Sequence, residues 1–221
     1  MVRAPDPGKD TLKIPARMLH MVAAGTIVHR VHLRRYLPAG AAVVFNGSGK
    51  GWARFSPLRD AKGKVVAVLY AGTTYECALM ETVFHDVPLG SDGYTFDRTK
   101  LEDQVHSRIE ILEPLRLVDL TSVGLRLFKL RPRDVTETDA ADYGVTQQWA
   151  SALYEANPTV QGLYWTSRQD NRAQAMMLFE GRLAGVKSIR AVGTPEALVD
   201  ALNMIEMGVV ELAEKILVGL S

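Results

Sequence analysis

Apolar and polar positions alternate along this chain in two rhythms. Val65-Val66-Ala67-Val68-Leu69-Tyr70 is a continuous apolar run of strand length, which predicts a strand over Lys64–Tyr70 with both faces covered. Thr26–Leu33 is rich in β-branched residues and predicts another strand, with Arg30 in its middle. Gln104–Leu112 and Leu115–Leu120 read as strands separated by Glu113-Pro114. Gln161–Thr166 and Ala175–Phe179 read as two more, joined by the polar stretch Ser167–Arg172. Trp52–Phe55 reads as a short strand closed by Ser56-Pro57. Helical spacing covers Thr73–Asp86, where Thr73 and Glu76 fit a capping box, as well as Thr121–Leu130 and Tyr143–Asn157. A last helix is expected from Thr194-Pro195-Glu196, with Thr194 as cap and Pro195 at the first position. Ala197, Leu198, Ala201, Leu202 and Ile205 continue it at helical spacing. Residues 1–24 then read as an arm, residues 25–182 as the domain and residues 183–221 as a helical tail packed on it. The predicted class is α+β, a mixed and mainly antiparallel sheet with flanking helices.

Composition narrows the class without naming an activity. At 221 residues, 47% of them hydrophobic, the chain suits one large domain or one domain with an appendage. Its 26 basic and 25 acidic residues are well mixed, and no basic stripe points to nucleic-acid binding by this chain. Cys77 is the one cysteine, so no intrachain disulfide forms, which fits a reducing compartment. No apolar run approaches the roughly 18 residues of a membrane span, and the first ten residues lack the apolar centre of a signal peptide. A cytoplasmic protein is expected.

Several familiar chemistries fail on spacing. In Phe45-Asn46-Gly47-Ser48-Gly49-Lys50-Gly51, Val44 stands where a phosphate loop needs its first glycine and Gly51 where it needs Ser or Thr, so a plain loop is expected. No Gly-x-Gly-x-x-Gly lies between a strand and a helix, and no Gly-x-Ser-x-Gly is present. The histidines at 20, 29, 32, 85 and 106 form no metal-ligand pattern. His29 and His32 lie three apart on a predicted strand and face opposite sides. Cys77 and His85 are two helical turns apart, too far for a nucleophile and its base, and Cys77 reads as a small core residue.

Glu81 stands out. On the predicted helix its neighbours three and four residues away are Cys77, Ala78, Phe84 and His85, so no Lys or Arg holds it in water. It is either a partly solvated residue at a helix edge or the floor of a cleft. Arg30, inside an apolar strand, and Arg54, between Trp52 and Phe55, carry the same two readings: each points outward, or each finds an anion. Together the three make a coherent set, two cations for a pyrophosphate and one carboxylate for a reacting sugar.

The segments Ile27-Val28-His29-Arg30-Val31, Ala53-Arg54-Phe55-Ser56-Pro57, Val68-Leu69-Tyr70-Ala71-Gly72 with Glu81, and Gly162-Leu163-Tyr164-Trp165-Thr166-Ser167-Arg168 follow one another in order. In that order the chain resembles the RES domain, named for its Arg, Glu and Ser. The resemblance implies a fold like that of ADP-ribosyltransferase toxins and NAD as substrate, with no metal. It implies cleavage of the nicotinamide–ribose bond by phosphorolysis or hydrolysis, or alternatively transfer of ADP-ribose to a protein. A third reading is a non-catalytic NAD-site protein acting through its complex. Such proteins are toxins of type II toxin–antitoxin pairs with an Xre-type helix-turn-helix antitoxin as partner. Carried over by position, Glu81, Arg30 and Ser167 are the catalytic set, and Arg30, Arg54, Tyr70 and Ser167 contact NAD. The chain departs from the pattern at Val31, where an aromatic is common, and at Ser56, where Asn is common.

Overall fold

The computed structural model describes residue 7 and residues 12–37, 43–85, 87, 94–199, 204–216 and 218–220. In chain order the strands and helices begin with β1 (Leu19–Val22), β2 (Ile27–Leu33), β3 (Leu58–Arg59), β4 (Val65–Val66), β5 (Val68–Gly72) and α1 (Tyr75–Met80). They continue with β6 (Tyr94–Phe96), β7 (Gln104–Ile111), β8 (Leu115–Asp119), α2 (Ser122–Leu127), α3 (Pro132–Val135) and α4 (Tyr143–Ala156). The chain closes with β9 (Gly162–Thr166), β10 (Gln174–Phe179), β11 (Ile189–Ala197), α5 (Met204–Lys215) and β12 (Val218–Leu220).

Eight strands form one sheet in the order β1-β8-β9-β10-β5-β2-β7-β11. Every neighbouring pair in it is antiparallel except β8 and β9, which the crossover through α2, α3 and α4 brings in parallel. The fold is therefore α+β with a mainly antiparallel sheet, as the apolar pattern predicts. β3–β4 and β6–β12 make two small ribbons beside it.

Side chains alternate across the sheet and feed a core on each face. Ala175, Met177 and Phe179 of β10 join Phe55, Trp149, Leu153 and Trp165 on one face. Met176 and Leu178, one residue out of phase, join Val28, Leu69, Ile109 and Leu117 on the other. A third cluster ties α1 and α5 together through Val31, Leu79, Phe84, Leu198, Val209 and Leu212.

The differences from the predicted elements have local causes. The strand expected over Lys64–Tyr70 breaks at Ala67 into β4, which pairs with β3, and β5, which joins the main sheet. Trp52–Phe55 forms no strand; Ala53 and Ser56 close a tight turn through one isolated bridge. The helix expected from Thr73 starts one residue later: Thr74 is the cap, accepting from Cys77 N at 3.0 Å, while Thr73 Oγ1 accepts instead from Gln174 N of β10. That helix is also shorter than expected, ending at Met80. The helix expected from Thr194 is absent, because Thr194-Pro195-Glu196 belongs to β11 at the sheet edge. The tail of residues 183–221 thus opens with a strand of the main sheet, and its described helix is α5. Of the arm expected over residues 1–24, residues 1–6 and 8–11 lie outside the described residues, as does most of the helix end at Asp86–Gly90, while Leu19–Val22 is β1 of the main sheet. No described helix is long and apolar enough to cross a membrane.

Candidate active site

The site begins where two strands part. β5 pairs with β10 along its whole length, from Val68 opposite Phe179 to Gly72 opposite Ala175. With β2 it shares one ladder pair, His29 opposite Gly72. Beyond that pair the strands diverge. Arg30, Val31 and His32 on one side, and Val68, Tyr70 and Ala71 on the other, line a cavity of about 400 Å³. Residues of both parities reach the cavity because the gap runs between strands rather than over one face. Asn46 enters the gap and takes over the ladder bonds of Val68, giving N–H to Val68 O at 2.7 Å and accepting from Val68 N at 3.2 Å.

Glu81 arrives at this gap on the end of α1. Gly72 lets the helix lie close, since a Cβ there would stand 3.0 Å from Ala78 N and from Cys77 Sγ. α1 runs six residues and Glu81 is its C-cap, lining the cavity. A carboxylate at a helix C-terminus faces partial negative charge, so its position is not explained by helix stability. Its partner is Ser167, whose Oγ donates to Glu81 Oε1 at 2.6 Å. The direction of that bond is fixed, because Ser167 Oγ already accepts from Gln169 N at 3.2 Å and Asp170 N at 3.0 Å. Ser167 is therefore both the turn serine after β9 and the clamp on Glu81. It is 2% exposed and is not among the residues that line the cavity; the side-chain contact it makes there is to Glu81.

Arg54 is 5% exposed. α4 fixes its loop: Thr146 Oγ1 donates to Arg54 O, and Gln147 Nε2 donates to Ala53 O at 3.0 Å and Ser56 O at 2.9 Å. Its guanidinium lies 5.8 Å from the centre of the Tyr143 ring. Among the described residues it has no carboxylate partner, and its Nε–H donates to no acceptor. Arg30 is half-buried and gives one hydrogen bond, to Val44 O at 2.5 Å. Burial pulls its pKa down to about 10. Tyr70 gives its hydroxyl to Ser56 Oγ at 3.1 Å, so the serine that stands where the family pattern has Asn is spent on a cavity wall. Burial raises the Tyr70 pKa, only partly offset by that bond.

Arg30, Arg54, Tyr70 and Glu81 thus converge on one cavity, and Ser167 stands directly behind it. Neither guanidinium forms an ion pair with Glu81 among the described residues. Opposite charges that share a cleft without neutralising one another mark a candidate functional site.

The cavity also draws on residues that the sequence did not single out as site residues. Tyr143 opens α4 and its hydroxyl lies 3.4 Å from His85 Nε2; both line the pocket. Gln169 Nε2 donates to His85 O at 2.7 Å, tying the segment after Glu81 to the turn that carries Ser167. Trp52 stands at the rim. His29 and His32 do face opposite sides of β2: His29 Nδ1 meets His106 Nε2 at 2.9 Å, and His32 Nε2 meets Ser107 Oγ at 2.8 Å. Burial, with Arg30 nearby, lowers the His32 pKa to about 4. Burial, with His29 and Arg108 nearby, does the same to His106. Cys77 is a core residue whose thiol burial pushes up to about 12. Among the described residues no three His, Cys, Asp or Glu side chains gather as a metal-holding group.

No curated protein matches the sequence. Among solved structures, the crystal structure of the M. tuberculosis MbcT–MbcA toxin–antitoxin complex is similar at 13% identity and a TM-score of 0.54, over 78% of this chain and 85% of that one, which shows a shared fold. The family model for the RES domain matches residues 27–200, a span that holds the parted strands, both arginines, Glu81 and Ser167, and the chain belongs to the RES domain family.

Proposed function

We propose that this chain is a toxin enzyme that consumes NAD by breaking the nicotinamide–ribose bond, with phosphate or water as acceptor. The observation that carries the reading is the cavity between β2 and β5, where two guanidinium groups and one carboxylate meet without pairing. Arg54 and Arg30 supply cationic donors that suit a pyrophosphate. Bond cleavage leaves positive charge on the ribose, as in glycoside hydrolysis. Glu81, half-buried and held by the Ser167 hydroxyl, stabilises that charge. Nicotinamide leaves as a neutral base with the electron pair of the broken bond, so no strong general acid is required. The acceptor oxygen then bonds to the ribose carbon and releases its proton to solvent. Membership in the RES family supports the toxin assignment. The likeness to a chain crystallised in a toxin–antitoxin complex supports a partner that blocks the protein, for which we propose an Xre-type helix-turn-helix antitoxin.

The test is nicotinamide release from NAD by the purified chain, with and without inorganic phosphate. Phosphate-dependent release identifies phosphorolysis, and phosphate-independent release identifies hydrolysis. Glu81→Ala abolishes release while the circular dichroism spectrum is retained. Unchanged turnover in that variant would overturn the reading.

A further inference from the structure

We propose that Trp52 is the platform on which the purine ring of the dinucleotide stacks; this rests on the NAD reading above and assigns the other end of the same site. Of the three tryptophans, Trp149 and Trp165 are buried at 5% and 1% exposure, whereas Trp52 is 60% exposed. A large aromatic left in solvent calls for a reason, and Trp52 lines the cavity. Its ring is oriented rather than loose. Nε1–H donates to Ala140 O at 3.1 Å, and the indole lies 6.5 Å from the Tyr143 ring at an interplanar angle of 37°. An edge bond of this kind occupies the one polar atom of the indole and leaves its faces without a hydrogen-bonding role.

Position decides which ring it takes. Trp52 lies two residues before Arg54, and both approach Tyr143, so the platform adjoins the cation suited to the pyrophosphate. Glu81 and Ser167 mark the place of the reacting ribose, and nicotinamide is bonded to that ribose. The ring that remains for the exposed rim is the purine. A cavity of about 400 Å³ sits towards the lower end of ligand sites, roughly 300–1,000 Å³, so a dinucleotide reaches its mouth. Stacking on an exposed indole suits a base that is held but not transformed.

The experiment compares wild type, Trp52→Ala and Trp52→Phe. Trp52→Ala raises the KM for NAD on the order of tenfold with kcat little changed, and Trp52→Phe restores most of the loss. ADP-ribose, which carries the purine, binds Trp52→Ala more weakly by a similar factor, whereas nicotinamide mononucleotide, which lacks it, is held equally by both proteins. ADP-ribose quenches tryptophan emission in wild type and far less in Trp52→Phe. An unchanged KM in Trp52→Ala, or equal weakening of nicotinamide mononucleotide, overturns the assignment while leaving NAD cleavage intact. If wild type neither binds ADP-ribose nor consumes NAD, the underlying reading falls and this one falls with it.

Discussion

β5 has two edges, and they are built for different purposes. Towards β10 it makes five consecutive antiparallel pairs between apolar residues. Towards β2 it makes one pair and then lets go. β2 mirrors the asymmetry, with seven consecutive pairs to β7 on its far side. The ladders on the outer edges therefore hold two halves of the sheet, and the parted inner edges hold the polar groups that no ladder could accommodate. The lesson is that Arg30, Arg54 and Glu81 are tolerated because backbone pairing was given up between β2 and β5, while the ladders either side keep the fold intact.

That contrast can be broken from either side. After the complete loss of release expected of Glu81→Ala, the largest effect is expected at Arg54. Replacing it by Met removes a buried cation that lacks a carboxylate partner, so kcat/KM for NAD falls on the order of a hundredfold while the melting temperature holds or rises. A drop in both, seen by calorimetry beside the kinetics, would mean that the arginine is structural. On the paired side, Gly162 of β9 tests the opposite. A Cβ there would lie 2.2 Å from Met177 O and 2.9 Å from a Leu117 methyl carbon. Gly162→Ala should thus lose about 1–3 kcal/mol of stability in urea unfolding, with KM for NAD little altered. Ser167→Ala is expected to lower kcat about tenfold, since it frees Glu81 Oε1 without removing the carboxylate, and to leave KM nearly unchanged.

The smallest expected effect is pH dependence, which reports on the β2–β7 ladder. His32 and His106 have pKa values lowered to about 4 from an ordinary 6.5, each mainly by burial. As pH falls the unfolded chain takes up these protons before the folded one. Their contribution is thus complete above pH 6.5 and is lost as pH falls towards 4. The groups that face them are His29, Arg30 and Arg108, with Glu196 3.6 Å from His106 Nδ1. Thermal melts of His106→Gln should show a shallower decline across that interval than wild type.

The sequence spoke most clearly where a local pattern and a global role coincide. The apolar run through Tyr70 and the isolated Glu81 could be read directly, because burial and helix spacing leave marks within a few residues. The arginines were visible as misfits, but pattern alone left each with an outward reading, and their convergence was expected as a set and from the family resemblance, since β2 and the loop at Arg54 lie far apart along the chain. Tyr143, His85 and Trp52 left no usable signal as site residues. Their function depends on α4 returning to the loop before β3, a contact between residues some 90 positions apart, as in the bond from Gln147 to Ala53. Thr194-Pro195-Glu196 misled because a capped helix start and a bulged edge strand use the same residues. Between Val192 and Glu196 the pairing of β11 with β7 slips, and proline is admissible in such an irregular outer strand.

That irregularity has a use of its own. An open sheet ends in rows of unsatisfied peptide groups that invite strands from other molecules to add on, and a long flat border is a hazard for precipitation. Here one border, β1, is only four residues long, and the other is interrupted near Pro195 by its slipped register. Both margins are poor templates for runaway growth.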